Sequence, residues 1–109
     1  MMNSDNQEIY KAIFAVVRLI PKGRVTSYGA VAKAVGLKSG ARMVGRAMSL
    51  VGNEKVPVPV HRVVNSSGVV VNDNGYREKK LRSEGIEVRN DKVVDFKTKF
   101  WDPLTEIAF

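Results

Sequence analysis

The run Val56-Pro57-Val58-Pro59 constrains the fold of this chain more than any other feature. Neither proline suits a helix interior, and each biases the residue before it away from helical backbone. The segment must therefore be extended. Before it lie three helix-patterned stretches; after it lie short β-like runs and one further helix.

The first helix is expected over Asp5 to about Leu19. Ile9, Ile13, Val16, Val17 and Ile20 fall at helical spacing on one face. Ser4 with Gln7, and Asp5 with Glu8, each fit a capping box. Pro21 stops the helix, Gly23 permits a turn, and Arg24-Val25-Thr26 reads as one strand of a small sheet. Ser27 can cap a second helix, Tyr28 to Val35, with Gly36 where a left-handed C-terminal cap is wanted. After a tight Leu37-Lys38-Ser39 connection, Ser39 or Gly40 can cap a third helix, about Ala41 to Val51. Val44, Ala47, Met48 and Val51 face inward, and Arg42, Gly45, Arg46 and Ser49 share the opposite face. Two helices, a short turn and a basic outer face describe a helix-turn-helix.

Beyond the prolines, His61-Arg62-Val63-Val64 and Val69-Val70-Val71 read as a hairpin or wing across Asn65-Ser66-Ser67-Gly68. Tyr76 to Glu84 is a short basic helix ended by Gly85. Ile86 to Val88 and Lys92 to Asp95 fit a last hairpin across Asn90-Asp91. The tail from Phe96 to Phe109 carries no clear period.

The 109 residues are expected to form a single domain, 1–109. They include 18 Lys+Arg against 11 Asp+Glu, a formal net charge of +7, which points to a polyanion as partner. A merely soluble basic surface is the plainer alternative. There is no cysteine and only one histidine. That excludes disulfides, a thiolate zinc site, a cysteine nucleophile and a paired-histidine metal motif. No cofactor or metal is expected. The longest apolar stretch, Ala12 to Ile20, is interrupted by Arg18 and too short to span a bilayer. The first residues lack a secretory pattern, so a cytoplasmic protein is the expectation; no membrane partner and a monomeric state are expected as well.

Three positions are candidates for chemistry. Arg42 opens the third helix among the small residues Gly40, Ala41 and Gly45, which suits close approach to a nucleic-acid backbone; a solvated arginine is the alternative. Tyr28 follows Thr26 and Ser27 at a helix start that suits a phosphate, but tyrosine also packs in cores. His61 has Glu84 and Asn53 as possible partners, yet the residue before it, Val60, offers no nucleophile. A hydrogen-bonded structural histidine is the plainer reading.

Three segments together resemble the DNA-binding domain of O6-alkylguanine-DNA alkyltransferases. Ile20-Pro21-Lys22-Gly23-Arg24-Val25-Thr26-Ser27-Tyr28-Gly29 is similar to its opening segment, and Ala41-Arg42-Met43-Val44-Gly45-Arg46-Ala47-Met48 to its recognition helix. Pro59-Val60-His61-Arg62-Val63-Val64, followed by Ser66-Ser67-Gly68, is similar to its Pro-Cys-His-Arg-Val active-site motif. The resemblance spans roughly residues 9–88. It implies a mainly helical α/β domain: a winged helix-turn-helix of the alkyltransferase C-terminal type with short β-hairpins.

The alkyl-accepting cysteine of that family falls at Val60. Valine cannot form the thioether, so the chain looks like the alkyltransferase-like proteins, which keep the scaffold without the acceptor. Many of them carry tryptophan there; valine offers no ring to stack on a base. By the same resemblance Arg42 would enter the duplex behind an extruded base, and Tyr28 would crowd its phosphate. Thr26, Ser27, Ala41, Gly45, Arg46 and Ser66 would complete the DNA contacts. Met48, Pro59, Val60 and Val63 would line the lesion pocket. Asn53, His61 and Glu84 would be a relict of the relay that ionises the enzyme's thiol.

The implied function is non-enzymatic binding of O6-alkylguanine in duplex DNA by nucleotide flipping. The implied partners are the damage-recognition proteins of nucleotide excision repair. The rivals are an alkyltransferase with another acceptor and a helix-turn-helix transcription regulator.

Overall fold

The computed structural model describes residues 4–107, with the side chains of residues 4–6 and of Asn53 outside the description. Helix α1 runs Ser4–Arg18. Ile13, Val16, Val17 and Ile20 are buried along it as the periodicity requires, and Phe14 joins them. The capping boxes proposed for its first turn involve side chains outside the described residues.

Strand β1 is only Thr26–Ser27 and leads straight into α2, Tyr28–Ala34. The Ser27 hydroxyl accepts from the Ala30 N–H at 3.1 Å, satisfying one of the donors a helix start leaves unpaired. Gly36 adopts φ +84°, as its place after α2 predicted. The turn into α3, Ala41–Ser49, closes on Gly40. A side chain there would place its Cβ 2.5 Å from the Leu37 Cβ, so the tight turn requires glycine. Val31 and Ala32 of α2 pack with Val44, Ala47 and Met48 of α3 in one apolar cluster with α1. The third helix stops earlier than its sequence pattern: after Leu50 the chain tightens into a 3-10 turn, Val51–Asn53.

The proline run carries no helix or strand, as expected. The β reading after it needs correction. Val60–Arg62 is a 3-10 turn, and strand β2 is Val63–Val64. It pairs in parallel with β1, Thr26 opposite Val63 and Ser27 opposite Val64, and not with residues 69–71 as a hairpin. The physical reason is burial on both faces. Val63 belongs to the first apolar cluster and Val64 to a second, formed with Val25, Val70, Leu81, Ile86, Val88 and Val93. A strand covered on both sides reads as a continuous apolar pair, and a parallel partner needs the long α2–α3 crossover that precedes it. The predicted turn at Asn65–Gly68 is present: the Asn65 side chain accepts from the Ser67 and Val69 N–H groups, both at 2.9 Å. Val69 then bridges Lys92.

Helix α4, Tyr76–Ser83, buries Leu81 and ends at Gly85, φ +84°. Strands β3, Val88–Arg89, and β4, Lys92–Val93, form the antiparallel hairpin. Its loop residues Asn90 and Asp91 both have positive φ (53° and 64°), the backbone of a type I′ turn. The tail is ordered by the core. Two single-turn helices, α5 (Phe96–Lys99) and α6 (Pro103–Glu106), flank Trp101, which is buried in the first cluster. Val25 bonds to this tail from both sides, its N–H to the Lys99 carbonyl at 3.0 Å and its carbonyl to the Trp101 N–H at 2.7 Å. The predicted Arg24–Thr26 strand is thus divided: Val25 bridges Phe100, and the ladder to β2 begins at Thr26.

Candidate nucleic-acid interface

Ala41, Arg42 and Arg46 lie exposed on α3, with Gly45 partly exposed between them, opposite the buried Val44, Ala47 and Met48. The helix therefore presents a basic face on a rigid support. Lys33 and Lys38 share a groove with Gly40, Ala41 and Arg42 at the α2–α3 junction. The sequence reading passed over both lysines. The signal for them was their place in the last turn of α2 and on the turn preceding Arg42, where a basic residue extends the same positive surface.

Tyr28 is half-buried and packs its ring against the first cluster. Its hydroxyl is not free: Arg77 donates to it from Nη1 at 3.2 Å. Arg77 is held in turn by Asp73, whose Oδ1 accepts from the Arg77 N–H at 3.0 Å and whose Oδ2 lies 3.2 Å from Nε. The second contact is an ion pair without hydrogen-bond alignment, since Nε has no hydrogen-bond partner among the described residues. Arg77 thus ties the Asn72–Tyr76 loop to Tyr28, a link no local pattern announces.

The hydroxyl residues separate. Ser66 is exposed in the turn after β2. Ser27 is nearly buried and its oxygen is engaged as the α2 cap. Thr26 departs from its expected role: it is fully buried, its side chain sealed by the parallel pairing with Val63. No nucleic-acid backbone can reach that hydroxyl in this conformation.

The segment Val56 to Arg62 lines an open cleft of about 490 Å³ with Arg18, Tyr76, Lys80 and Glu84. That volume falls in the usual range for small-ligand sites. Pro59 and Val60 belong to the lining. Met48 and Val63 do not: both are buried in the core cluster against which Val60 packs. They support the cleft from behind, because α3 and β2 need those side chains to fill the interior. Arg18 closes one end of the cleft, bonded to Glu54 at 2.9 Å and to the Val56 carbonyl at 2.8 Å. The Lys80 ammonium sits over the Tyr76 ring, 5.8 Å from its centroid.

Beneath this cleft lies a buried polar cluster. Glu84 accepts from His61 Nε2 at 2.7 Å, from Arg62 Nη2 at 2.8 Å and from the Gly23 N–H at 3.1 Å. Arg62 also reaches the Ile20 carbonyl at 2.8 Å. Burial alone would raise the Glu84 pKa, but the bonds from Arg62, His61 and Gly23 outweigh it and bring the carboxyl down to about 2. His61 is lowered from its ordinary value, chiefly by burial, against the opposing pull of Glu84. A neutral imidazole beside an ionised carboxylate must carry its proton on Nε2, leaving Nδ1 as the acceptor. Glu84 is one of the two partners the sequence offers for His61; the part played by Arg62 has no such signal. The Asn53 side chain lies outside the described residues. Among the described residues no group of three or more His, Asp or Glu could hold a metal, and no helix is long and apolar enough to cross a membrane.

Fold and site together define a DNA-binding domain of the alkyltransferase type. The family model for the 6-O-methylguanine DNA methyltransferase DNA binding domain matches residues 8–86. A DNA base-flipping protein of Vibrio parahaemolyticus is 40% identical over 96 residues, covering 84% of this chain and 93% of its own. Alkyltransferase-like protein 1 of Schizosaccharomyces pombe is 35% identical over 105 residues, covering 88% and 96%. The crystal structure of S. pombe Atl1 in complex with damaged DNA containing O6-carboxymethylguanine superposes with a TM-score of 0.78 at 31% identity. That match covers 93% of this chain and 98% of the other. The chain belongs to the alkyltransferase-like family.

Proposed function

We propose that this protein is a non-enzymatic sensor of O6-alkylguanine in duplex DNA. It turns the damaged nucleotide out of the stack, holds it at the Val60 cleft and passes the site to nucleotide excision repair. The observation that carries this reading is the side chain at position 60. It lines a cleft above an assembled His61–Glu84 pair, yet it is an aliphatic group with no atom to accept an alkyl carbon.

The physical case follows from that arrangement. Extruding a base costs a few kcal/mol in lost stacking and pairing, and less where damage has already weakened the pair. Pro59 and Val60 offer apolar surface to an alkyl substituent, at about 0.8 kcal/mol per buried CH₂. The basic face of α3 supplies sequence-independent attraction through phosphate contacts. Arg42 fills the space the base leaves, and Tyr28, braced by Arg77, crowds the rotating phosphate. With no thiol in the chain the lesion is not consumed, so the complex persists as a mark for other proteins. Relatives named as base-flipping and alkyltransferase-like proteins support the reading. So does the S. pombe protein bound to damaged DNA.

Incubation with a duplex carrying isotopically labelled O6-methylguanine tests the non-enzymatic claim. The expected result is no label on the protein and full recovery of the lesion in the DNA. Label bound to any side chain establishes a non-cysteine acceptor and contradicts it. A footprint at particular undamaged sites would instead favour a transcription regulator.

A further inference from the structure

The C-terminal segment completes a second groove, separate from the cleft at Val60. Ser27, Ser66, Phe96, Lys97 and Phe100 surround a depression of about 290 Å³. Two of these residues, Ser27 and Ser66, already belong to the face assigned to DNA. The other three come from the tail, whose sequence carries no readable period.

This part of the tail is anchored at both ends. On the N-terminal side, the Val94 N–H bonds to the Glu87 carbonyl at 2.9 Å. The next residues are locked to Val25 by the two backbone bonds and the Phe100 bridge. Val25 directly precedes β1, so the position of α5 relative to Ser27 is fixed by the sheet. The Phe96 and Phe100 rings meet edge to face at 5.6 Å. Phe96 also sits so close to Gly68 that a Cβ there would lie 3.0 Å from the ring. The groove is therefore a rigid feature joined to the turn that presents Ser66.

Lys97 is exposed and takes part in no ion pair among the described residues. The acids nearest in sequence, Asp95 and Asp102, line no part of the groove. Holding an ammonium this way, beside a hydroxyl and two aromatic walls, matches a phosphodiester with its sugar. The groove also continues the surface that carries Ser66, which favours one continuous strand of the duplex as its occupant.

We propose that Lys97, together with Ser66, forms a further backbone-phosphate contact of the DNA interface, contributed by the C-terminal segment. The proposal rests on the duplex-binding reading above, and its test separates the two. Affinity for matched duplexes with and without one O6-methylguanine is measured across a salt series for the wild type and for Lys97→Ala, Lys97→Arg and Lys11→Ala. Losing one phosphate contact should flatten the slope of log K against log salt by about 0.9. Lys97→Ala is expected to do so equally on both duplexes, leaving the lesion-to-guanine ratio unchanged, while Lys97→Arg keeps the wild-type slope. An unchanged slope in Lys97→Ala overturns the proposal. So does an equal flattening from Lys11→Ala, on the exposed side of α1, which would report net charge and not position. If the wild type shows no lesion preference but Lys97→Ala still flattens the slope, the phosphate contact stands and the lesion reading falls.

Discussion

Replacing Glu84 with glutamine tests how the polar cluster under the cleft is held together. The carboxylate side chain is 8% exposed, and its partners His61 and Arg62 are 9% and 17% exposed. Glutamine keeps the shape and can still accept from Gly23, but it leaves the Arg62 guanidinium without a counter-charge. A Glu84 pKa near 2, against an ordinary value near 4.5, corresponds to about 3 kcal/mol of folded-state stabilisation at neutral pH. The cost of breaking a buried ion pair from one side is of the same order, about 3–5 kcal/mol. For a chain of this length a loss of 3 kcal/mol lowers Tm by about 13 °C. The pH profile gives a second reading. Because the folded-state pKa is depressed, the stabilisation is present above about pH 4.5 and fades as pH falls towards 2. His61, also depressed, adds a loss in the same direction that begins as pH falls below 6.5. Thermal unfolding followed by circular dichroism from pH 7 to pH 2 is the assay. Glu84→Gln should start well below the wild type at pH 7 and converge with it near pH 2. A Tm within about 3 °C of wild type at pH 7, with the acid limb unchanged, would refute the reasoning.

Other perturbations probe the remaining parts. Arg42→Ala should weaken lesion-duplex binding by about 1–3 kcal/mol at fixed salt, measured by fluorescence anisotropy, with the fold intact. Gly40→Ala should destabilise the protein by about 1–3 kcal/mol in urea unfolding, because the added methyl meets Leu37 at 2.5 Å. Arg77→Met removes the donor to Tyr28 and the partner of Asp73; a urea midpoint corresponding to a loss of about 1–2 kcal/mol is expected. The same variant should reduce nucleotide extrusion, read from 2-aminopurine fluorescence opposite the lesion.

The first half of the fold was legible because its signals are local. Ser27 caps α2 through its own hydroxyl, Gly36 has the left-handed backbone its position implied, and the apolar face of α3 follows a 3.6-residue period. The β1–β2 pairing was not legible. Two-residue strands show no alternation, and a parallel partner 37 residues away leaves no mark beside Val63 and Val64. The tail defeated periodicity for a similar reason: α5 and α6 are single turns, and the segment between them is fixed by long-range bonds from Lys99 and Trp101 to Val25.

For the site, the side chains of Arg42, Arg46 and Ser66 are exposed, as a contact with a partner would need. The sequence misleads where burial decides. Thr26, Met48 and Val63 lie in the right segments, but the packing of β1, β2 and α3 turns them inward. The roles of Arg62 and Arg77 depend on partners 22 and 49 residues away, which no spacing rule reaches.

The central claim is that the cleft beside Val60 receives a damaged guanine. The most direct measurement is the affinity of the protein for two duplexes identical except for one O6-methylguanine, at a single fixed salt concentration. The account predicts tighter binding to the damaged duplex, with the preference lost when Val60 is replaced by aspartate. Equal affinity for the two duplexes would contradict it.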